Sequence, residues 1–151
     1  MTRDEFQELL DEYLPTTAEP TAYLATCDTA GPHVRPVTLV RDGVHFYFAT
    51  SRRSEKTNHI DLTQDVEFVC LLEKGEKLGC LRVAGRVAEI SGPPLRELWT
   101  RAQGYDASLH FPKGLEDPDL IAFRIHPTRI RLRPPGEREI EVRSELLASS
   151  E

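Results

Sequence analysis

Two runs rich in β-branched and aromatic residues, Val34 to Val40 and Val44 to Ala49, flank the dipeptide Asp42-Gly43, and this arrangement constrains the fold more than any other part of the chain. Glycine accepts the positive φ that a tight two-residue turn demands, and alternating apolar side chains give each strand one buried face. An antiparallel hairpin is expected. Centred on Asp42-Gly43, it sets Arg35 on the first strand opposite Thr50 on the second. The second strand then delivers Thr50, Ser51, Arg52, Arg53, Ser54 and Lys56 within one short stretch.

The rest of the chain reads in the same way. Thr2 and Glu5 form a capping-box signature, and Phe6, Leu9, Leu10, Tyr13 and Leu14 follow the spacing of a helix with one apolar face, ending at Pro15. Ala22 to Cys27 reads as a strand, and Asp28 to Pro32 turns it into the hairpin. Ser54 can cap a short helix through about Leu62. Val66 to Glu73 and Leu78 to Ile90 form a second hairpin across Lys74 to Lys77, with Gly85 inside the longer strand, where a missing side chain marks a bulge, a bend or a close approach.

Pro93 and Pro94 suit the first turn of a helix carrying Leu95, Leu98, Trp99 and Ala102, stopped at Gly104. Tyr105 to Asp119 reads as a loop, Leu120 to His126 and Arg129 to Arg133 as strands, and residues from Pro134 as a charged, mobile tail. Five to seven strands in hairpin order with only short helices imply a mainly β protein, an antiparallel sheet closing into a small barrel with peripheral helices. At 151 residues one domain is expected, spanning 1–133.

Charge narrows the function. A formal charge of -6 argues against nonspecific binding to nucleic acid or to an anionic membrane, so the basic run at Arg52, Arg53 and Lys56 stands out. With no cationic leader and no apolar run of membrane-spanning length, a soluble cytoplasmic protein is expected. Cys27, Cys70 and Cys80 are odd in number and lack a C-x-x-C spacing, so neither a disulfide framework nor a zinc site is indicated. The five histidines show no metal-binding spacing, and no carboxylate pair stands out as a general acid and base.

Hydroxyls at Thr50, Ser51 and Ser54, the cation of Lys56 and the free amides of a helix opening at Ser54 together favour a phosphate dianion. The bland reading is a solvated basic corner with Ser54 as a cap. No G-x-x-x-x-G-K-[ST] or G-x-G-x-x-G motif competes for the phosphate role.

Arg35-Pro36-Val37, Phe46-Tyr47-Phe48-Ala49-Thr50-Ser51, Ser54-x-Lys56 and Leu81-Arg82-Val83-Ala84-Gly85-Arg86-Val87 together resemble the flavin-binding split-barrel family related to pyridoxamine 5'-phosphate oxidase. The resemblance covers Tyr23 to Ile90 and, more loosely, the chain to Arg133. It implies a homodimer holding FMN in clefts at its interface, the phosphate bound by Arg35, Thr50, Ser54 and Lys56. The isoalloxazine ring would lie along Val37 to Val40, whose backbone amides would polarise it, with Pro36 and Thr38 among the residues in contact with the cofactor. Ala49 and Ser51 would add backbone or hydroxyl contacts.

By the same match Cys80 stands where the biosynthetic oxidase has an amide near the flavin. Trp99 reads as core, or as a side chain reaching the partner's flavin. Glu55-Lys56 replaces an arginine-lysine pair, so one cation is missing unless Arg53 substitutes, and the long C-terminal segment that completes the vitamin pocket is absent. The expectation is therefore a small FMN-dependent oxidoreductase distinct from the biosynthetic enzyme, its substrate and electron donor left open. The alternatives are a split barrel using deazaflavin or haem, a non-catalytic flavin-binding or stress-response protein, and an empty dimeric barrel.

Overall fold

A computed structural model describes residues 1–14, 20–53, 65–100 and 107–148. Seven antiparallel strands run in chain order: β1 (Thr21–Asp28), β2 (Gly31–Asp42), β3 (His45–Ser51), β4 (Asp65–Lys74), β5 (Lys77–Ile90), β6 (Leu120–Arg133) and β7 (Ile140–Val142). Their lateral order is β3-β2-β1-β4-β5-β6-β7, and an additional β3–β6 pairing joins the ends, so the first six strands form a ring with β7 appended to β6. Closing the ring removes sheet edges that would otherwise present unpaired backbone groups.

Inward side chains follow the two-residue period of each strand. Phe46 and Phe48 on β3 meet Phe68 of β4 edge-on, with centroids 5.6 Å apart, and Phe123 of β6 in a stacked pair at 5.3 Å. The helix α1 (Arg3–Tyr13) covers this core with Phe6, Leu10 and Leu14, one residue per turn of a single face. Thr2 Oγ1 accepts from the Glu5 amide at 3.1 Å, as the capping box requires.

Arg41 fixes the helix from inside the fold. Its buried guanidinium pairs with Asp11 at 2.8 Å and donates to the carbonyls of Leu14 at 3.3 Å and Gly43 at 2.8 Å. A buried cation so satisfied is tolerable, and it ties the end of α1 to the β2–β3 turn.

The β2–β3 register differs from expectation. Asp42 pairs with His45, Val40 with Tyr47 and Leu39 with Phe48, so the two-residue loop is Gly43-Val44 rather than Asp42-Gly43. Gly43 has φ +61°, and among the described residues no non-glycine residue has positive φ. One positive φ, at the first loop position, suits a type II′ turn, whereas a loop centred on Asp42-Gly43 would need a positive φ at Asp42 in the type I′ form that the dipeptide suggests. The correction shifts the register by two residues. Each side chain keeps its face, but the expected pairing of Arg35 with Thr50 is lost.

Two further elements depart from the sequence reading. The strands expected at Leu120–His126 and Arg129–Arg133 are one continuous β6, bulged where its pairing with β5 shifts between Ala84 and Gly85. Residues from Pro134 do not leave the domain as a separate tail. They form β7 and a short helix α4 (Glu145–Ala148), with Val142 and Leu147 buried in the main core. Two apolar residues among many charges are enough to dock the segment, and Glu139 and Glu141 pair with Arg82 and Arg129 on the adjoining strands. The hydrogen bond from Arg82 holds the Glu139 carboxyl below its ordinary range.

The stretch expected as a loop before β6 holds a short helix α3 (Ala107–His110) and a 3-10 turn at Gly114–Glu116. The helix expected from Ser54 to Leu62, and Ala102 and Gly104, lie outside the described residues. No helix among the described residues is long and apolar enough to cross a membrane.

Cys70 lies in the core, and burial pushes its thiol up from 9.0 to about 11. The unfolded thiol ionises first as the pH rises, so the stability linked to this group is complete below about pH 9 and is lost on approach to pH 11. Native protein is expected to react fastest with an aromatic disulfide reagent at the exposed Cys27 and more slowly at the half-buried Cys80, whereas Cys70 should react only on unfolding. Fast modification of Cys70 in the native state would contradict its place in the core.

Candidate functional site

The ring has an asymmetry at the place where the expected cofactor residues fall. β2 and β3 pair only from Leu39↔Phe48 to Asp42↔His45. Beyond that point, among the described residues, β2 from Thr38 back to Gly31 pairs with β1 alone, and Ala49, Thr50 and Ser51 pair with β6 alone. The two strands part, and the expected cofactor residues Arg35, Pro36, Val37 and Thr38 line one side of the opening while Thr50 and Ser51 line the other.

On the β3 side, Thr50 shares the inward face of Phe46 and Phe48 and is only 5% exposed, and its Oγ1 has no hydrogen-bond partner among the described residues. Leaving a buried hydroxyl unpaired costs about 1–3 kcal/mol. Ser51 accepts from the Arg53 amide at 3.2 Å, closing a local turn at the end of the strand. The two arginines that follow are already engaged: Arg52 pairs with Glu89 at 2.8 Å and Arg53 with Asp119 at 3.4 Å. Arg53, which the sequence left to replace a missing cation, is 84% exposed and pairs with Asp119 at the surface.

On the β2 side, half-buried Arg35 donates from Nη2 to Thr26 Oγ1 at 2.7 Å, a bond that orients the guanidinium on the inward face. Val37 is buried in the main core, Thr38 is half-buried and Pro36 is exposed. Ser54 and Lys56, which the sequence assigned to the phosphate, lie outside the described residues.

Val40 and Ala49 have a different environment. Both face outward, and both are buried in clusters formed with α2 (Pro93–Trp99), Val40 with Tyr47 and Leu98, Ala49 with Leu95, Leu120 and Ala122. Partly buried Trp99 packs against both clusters. The core reading of Trp99 therefore describes its packing, and the side chains of Val40 and Ala49 are given to the helix, leaving only their backbone for a ligand.

Cys80 is half-buried on the outer face of β5, paired with Leu71 of β4 and Arg133 of β6. Three strand spacings separate it from β2, about 14 Å along the sheet. Within one chain it is not brought to the opening. The same outer face carries an apolar patch that sequence periodicity missed, because alternation shows only that one face is buried. Tyr23 is 43% exposed, Val34 70%, Leu71 61% and Leu78 60%.

The pairing order and the parting of β2 from β3 define a split antiparallel barrel with a candidate site at its seam. The sequence pattern of pyridoxamine 5'-phosphate oxidase matches residues 3–133, and the chain belongs to that family. It is 28% identical over 119 residues to General stress protein 26 of Bacillus subtilis (strain 168), covering 76% of this chain and 80% of that protein.

Among solved structures, a heme binding protein from Mycobacterium smegmatis matches with a TM-score of 0.73 at 17% identity, over 95% of this chain and 60% of that one. This chain thus spans less than two thirds of that neighbour. An FAD binding protein from Mycobacterium smegmatis matches with a TM-score of 0.60 at 16% identity, over 88% of this chain and 96% of that one. These likenesses establish the fold. Proteins of this architecture carry names for different cofactors.

Proposed function

We propose that the protein is an FMN-binding homodimer acting as a small flavin-dependent oxidoreductase, distinct from the biosynthetic oxidase. The observation that carries this reading is the buried hydroxyl of Thr50 at the seam, which has no partner among the described residues. It stands in the run T-S-x-x-S-x-K, whose remaining hydroxyls and lysine are the donors a phosphate monoester takes. The residues present therefore fit the phosphate end of the cofactor.

Thr50, Ser54 and Lys56 would hold that phosphate, with Arg35 reaching in from β2. The ring would lie against Pro36 and Thr38, the residues of β2 that remain accessible, with backbone groups of Val37 to Val40 along its edge. When bound, FMN supplies hydride or electron transfer, and the protein supplies position and electrostatics.

A second copy is part of this reading. Exposed apolar side chains on one sheet face, here Tyr23, Val34, Leu71 and Leu78, are of the kind that association surfaces use. Cys80, about 14 Å from β2 in its own chain, would meet a cofactor from the partner. The acidic net charge and three free cysteines accord with a cytoplasmic setting.

The test is direct. Full-length protein mixed with FMN should retain flavin absorbance through gel filtration and elute as a dimer. Colourless protein that takes up no FMN would overturn the reading, and uptake of haem in its place would assign the cofactor of the other split-barrel class. The match to a general stress protein supports a stress-response protein as the second reading, one that would bind flavin without turnover. Oxidation of NADH or NADPH by the loaded protein separates the two.

A further inference from the structure

Three features outside the core invite explanation: the apolar outer sheet, the arginine-glutamate ladder over β4 to β7, and a histidine-aspartate pair on the inner face of β1 and β2. The first belongs to the dimer already proposed, and the ladder's paired charges fasten β7. The histidine carries more. We propose that His33, held by Asp28, makes anion binding at Arg35 proton-linked, so that the site takes a phosphate ester more tightly when the imidazole gains a proton. The inference rests on the reading of Arg35 as a phosphate ligand and deepens it.

The position of the pair follows from the β1–β2 register. His33 stands directly opposite Thr26, and residues so opposed share a face, with β-carbons about 4.5–5.5 Å apart. Thr26 is the buried residue whose hydroxyl accepts from Arg35 Nη2 at 2.7 Å. Arg35 thus reaches back along β2 and sets its guanidinium at the β1 residue that His33 faces. On the other side of that residue, His33 Nε2 lies 3.0 Å from Asp28 Oδ1. The same oxygen accepts from the Ala30 amide at 2.8 Å, so the β1–β2 turn fixes the carboxylate.

The sign of the linkage follows from the charges. Among the described residues, the charged groups next to the imidazole on this face are Asp28 on β1 and Arg35 on β2, and across the opening Arg52 is paired with Glu89 at 2.8 Å. Beside a neutral imidazole, Asp28 leaves one negative charge near the guanidinium and opposes an arriving anion. An imidazolium cancels that charge. Histidine is the side chain that makes this change between about pH 5 and 8. The His33 and Asp28 side chains are 33% and 30% exposed, so solvent screens the effect, and one unit of charge here is worth about three- to fivefold in affinity.

The test is the FMN affinity of the full chain against pH, read by flavin fluorescence, in the parent protein and in His33→Gln. Dividing one affinity by the other at each pH removes the titration of the ligand's own phosphate, which for a monoester falls at about pH 6. The parent should match the variant at about pH 8.5 and bind about three- to fivefold tighter at about pH 6. Asp28→Asn, which keeps an acceptor for the Ala30 amide, should bind FMN about three- to fivefold tighter than the parent at the alkaline end. Riboflavin, which has no phosphate, should show neither effect.

An affinity ratio that is the same at both pH values would mean that His33 acts through structure alone, and it overturns the inference. So does Asp28→Asn binding no tighter at alkaline pH, or an equal effect on riboflavin. Each of these outcomes leaves the FMN reading intact. A parent chain that binds no FMN at any pH overturns the inference and the FMN reading together.

Discussion

Arg35→Ala combined with Lys56→Ala is expected to weaken FMN binding by roughly 100- to 10,000-fold. Each charge-assisted contact to a phosphate is worth about 1.5–3 kcal/mol, and a free-energy change of 1.4 kcal/mol is tenfold in affinity. The two groups would share one phosphate, so their effects should couple, and the single variants will not sum to the double one. Arg35 also donates to Thr26 Oγ1 at 2.7 Å, a bond between β1 and β2. Its loss should cost about 1 kcal/mol, a few degrees in melting temperature, while the double variant stays folded. Fluorescence titration reads the first quantity and thermal unfolding the second. FMN affinity within threefold of the parent protein would show that these cations are only a solvated corner.

Gly85→Ala should cost roughly 3 kcal/mol or more of stability, or about 6–12 °C in melting temperature for a domain of this size. A β-carbon there would stand 2.2 Å from the His126 carbonyl oxygen and 2.9 Å from both His126 C and Pro127 Cα. All three are backbone atoms, so no rotamer change relieves the clash. Either the β5–β6 ladder opens or the bulge is rebuilt. The extra residue of that bulge is Thr128, whose hydroxyl donates to the Ala84 carbonyl at 3.3 Å. Urea unfolding measures the loss, and a midpoint unchanged by the substitution would mean that the bulge relaxes freely.

The role of Gly85 was legible in the sequence, because a glycine interrupting a run of alternating apolar residues has few structural uses. The same holds for the capped α1, for the Lys74–Lys77 turn and for the hairpin that opens the chain's reading. Each rests on signals within a few residues. Arg41 was not legible. A charged residue one step before a turn reads as solvent-facing, and only the return of Leu14 and Asp11 from the far end of α1 makes it a buried tie.

The seam divides in the same way. Its hydroxyls and cations are local composition, so Thr50, Ser51 and the basic run were visible at once. Their state was not. Arg52 and Arg53 are neutralised by Glu89 and Asp119, residues tens of positions away that antiparallel pairing of β6 with both β3 and β5 brings alongside. The outer apolar patch and the burial of Val40 and Ala49 beneath α2 depend equally on which face a distant element covers.

By itself the sequence determined a mainly antiparallel β domain, most of its strands, the membership of its motifs in a family and the residue types of a candidate phosphate site. Side-chain periodicity and turn residues act over a few bonds, and they are written in neighbouring positions. Only the tertiary structure decided the two-residue shift of the β2–β3 register, the fusion of β6, the docking of Val142 and Leu147, and the closure through β3 and β6. The physical reason is that a loop's dihedral angles select the register, and strand edges find partners by long-range hydrogen bonding. One face can be buried equally well in several such arrangements until the whole ring is formed.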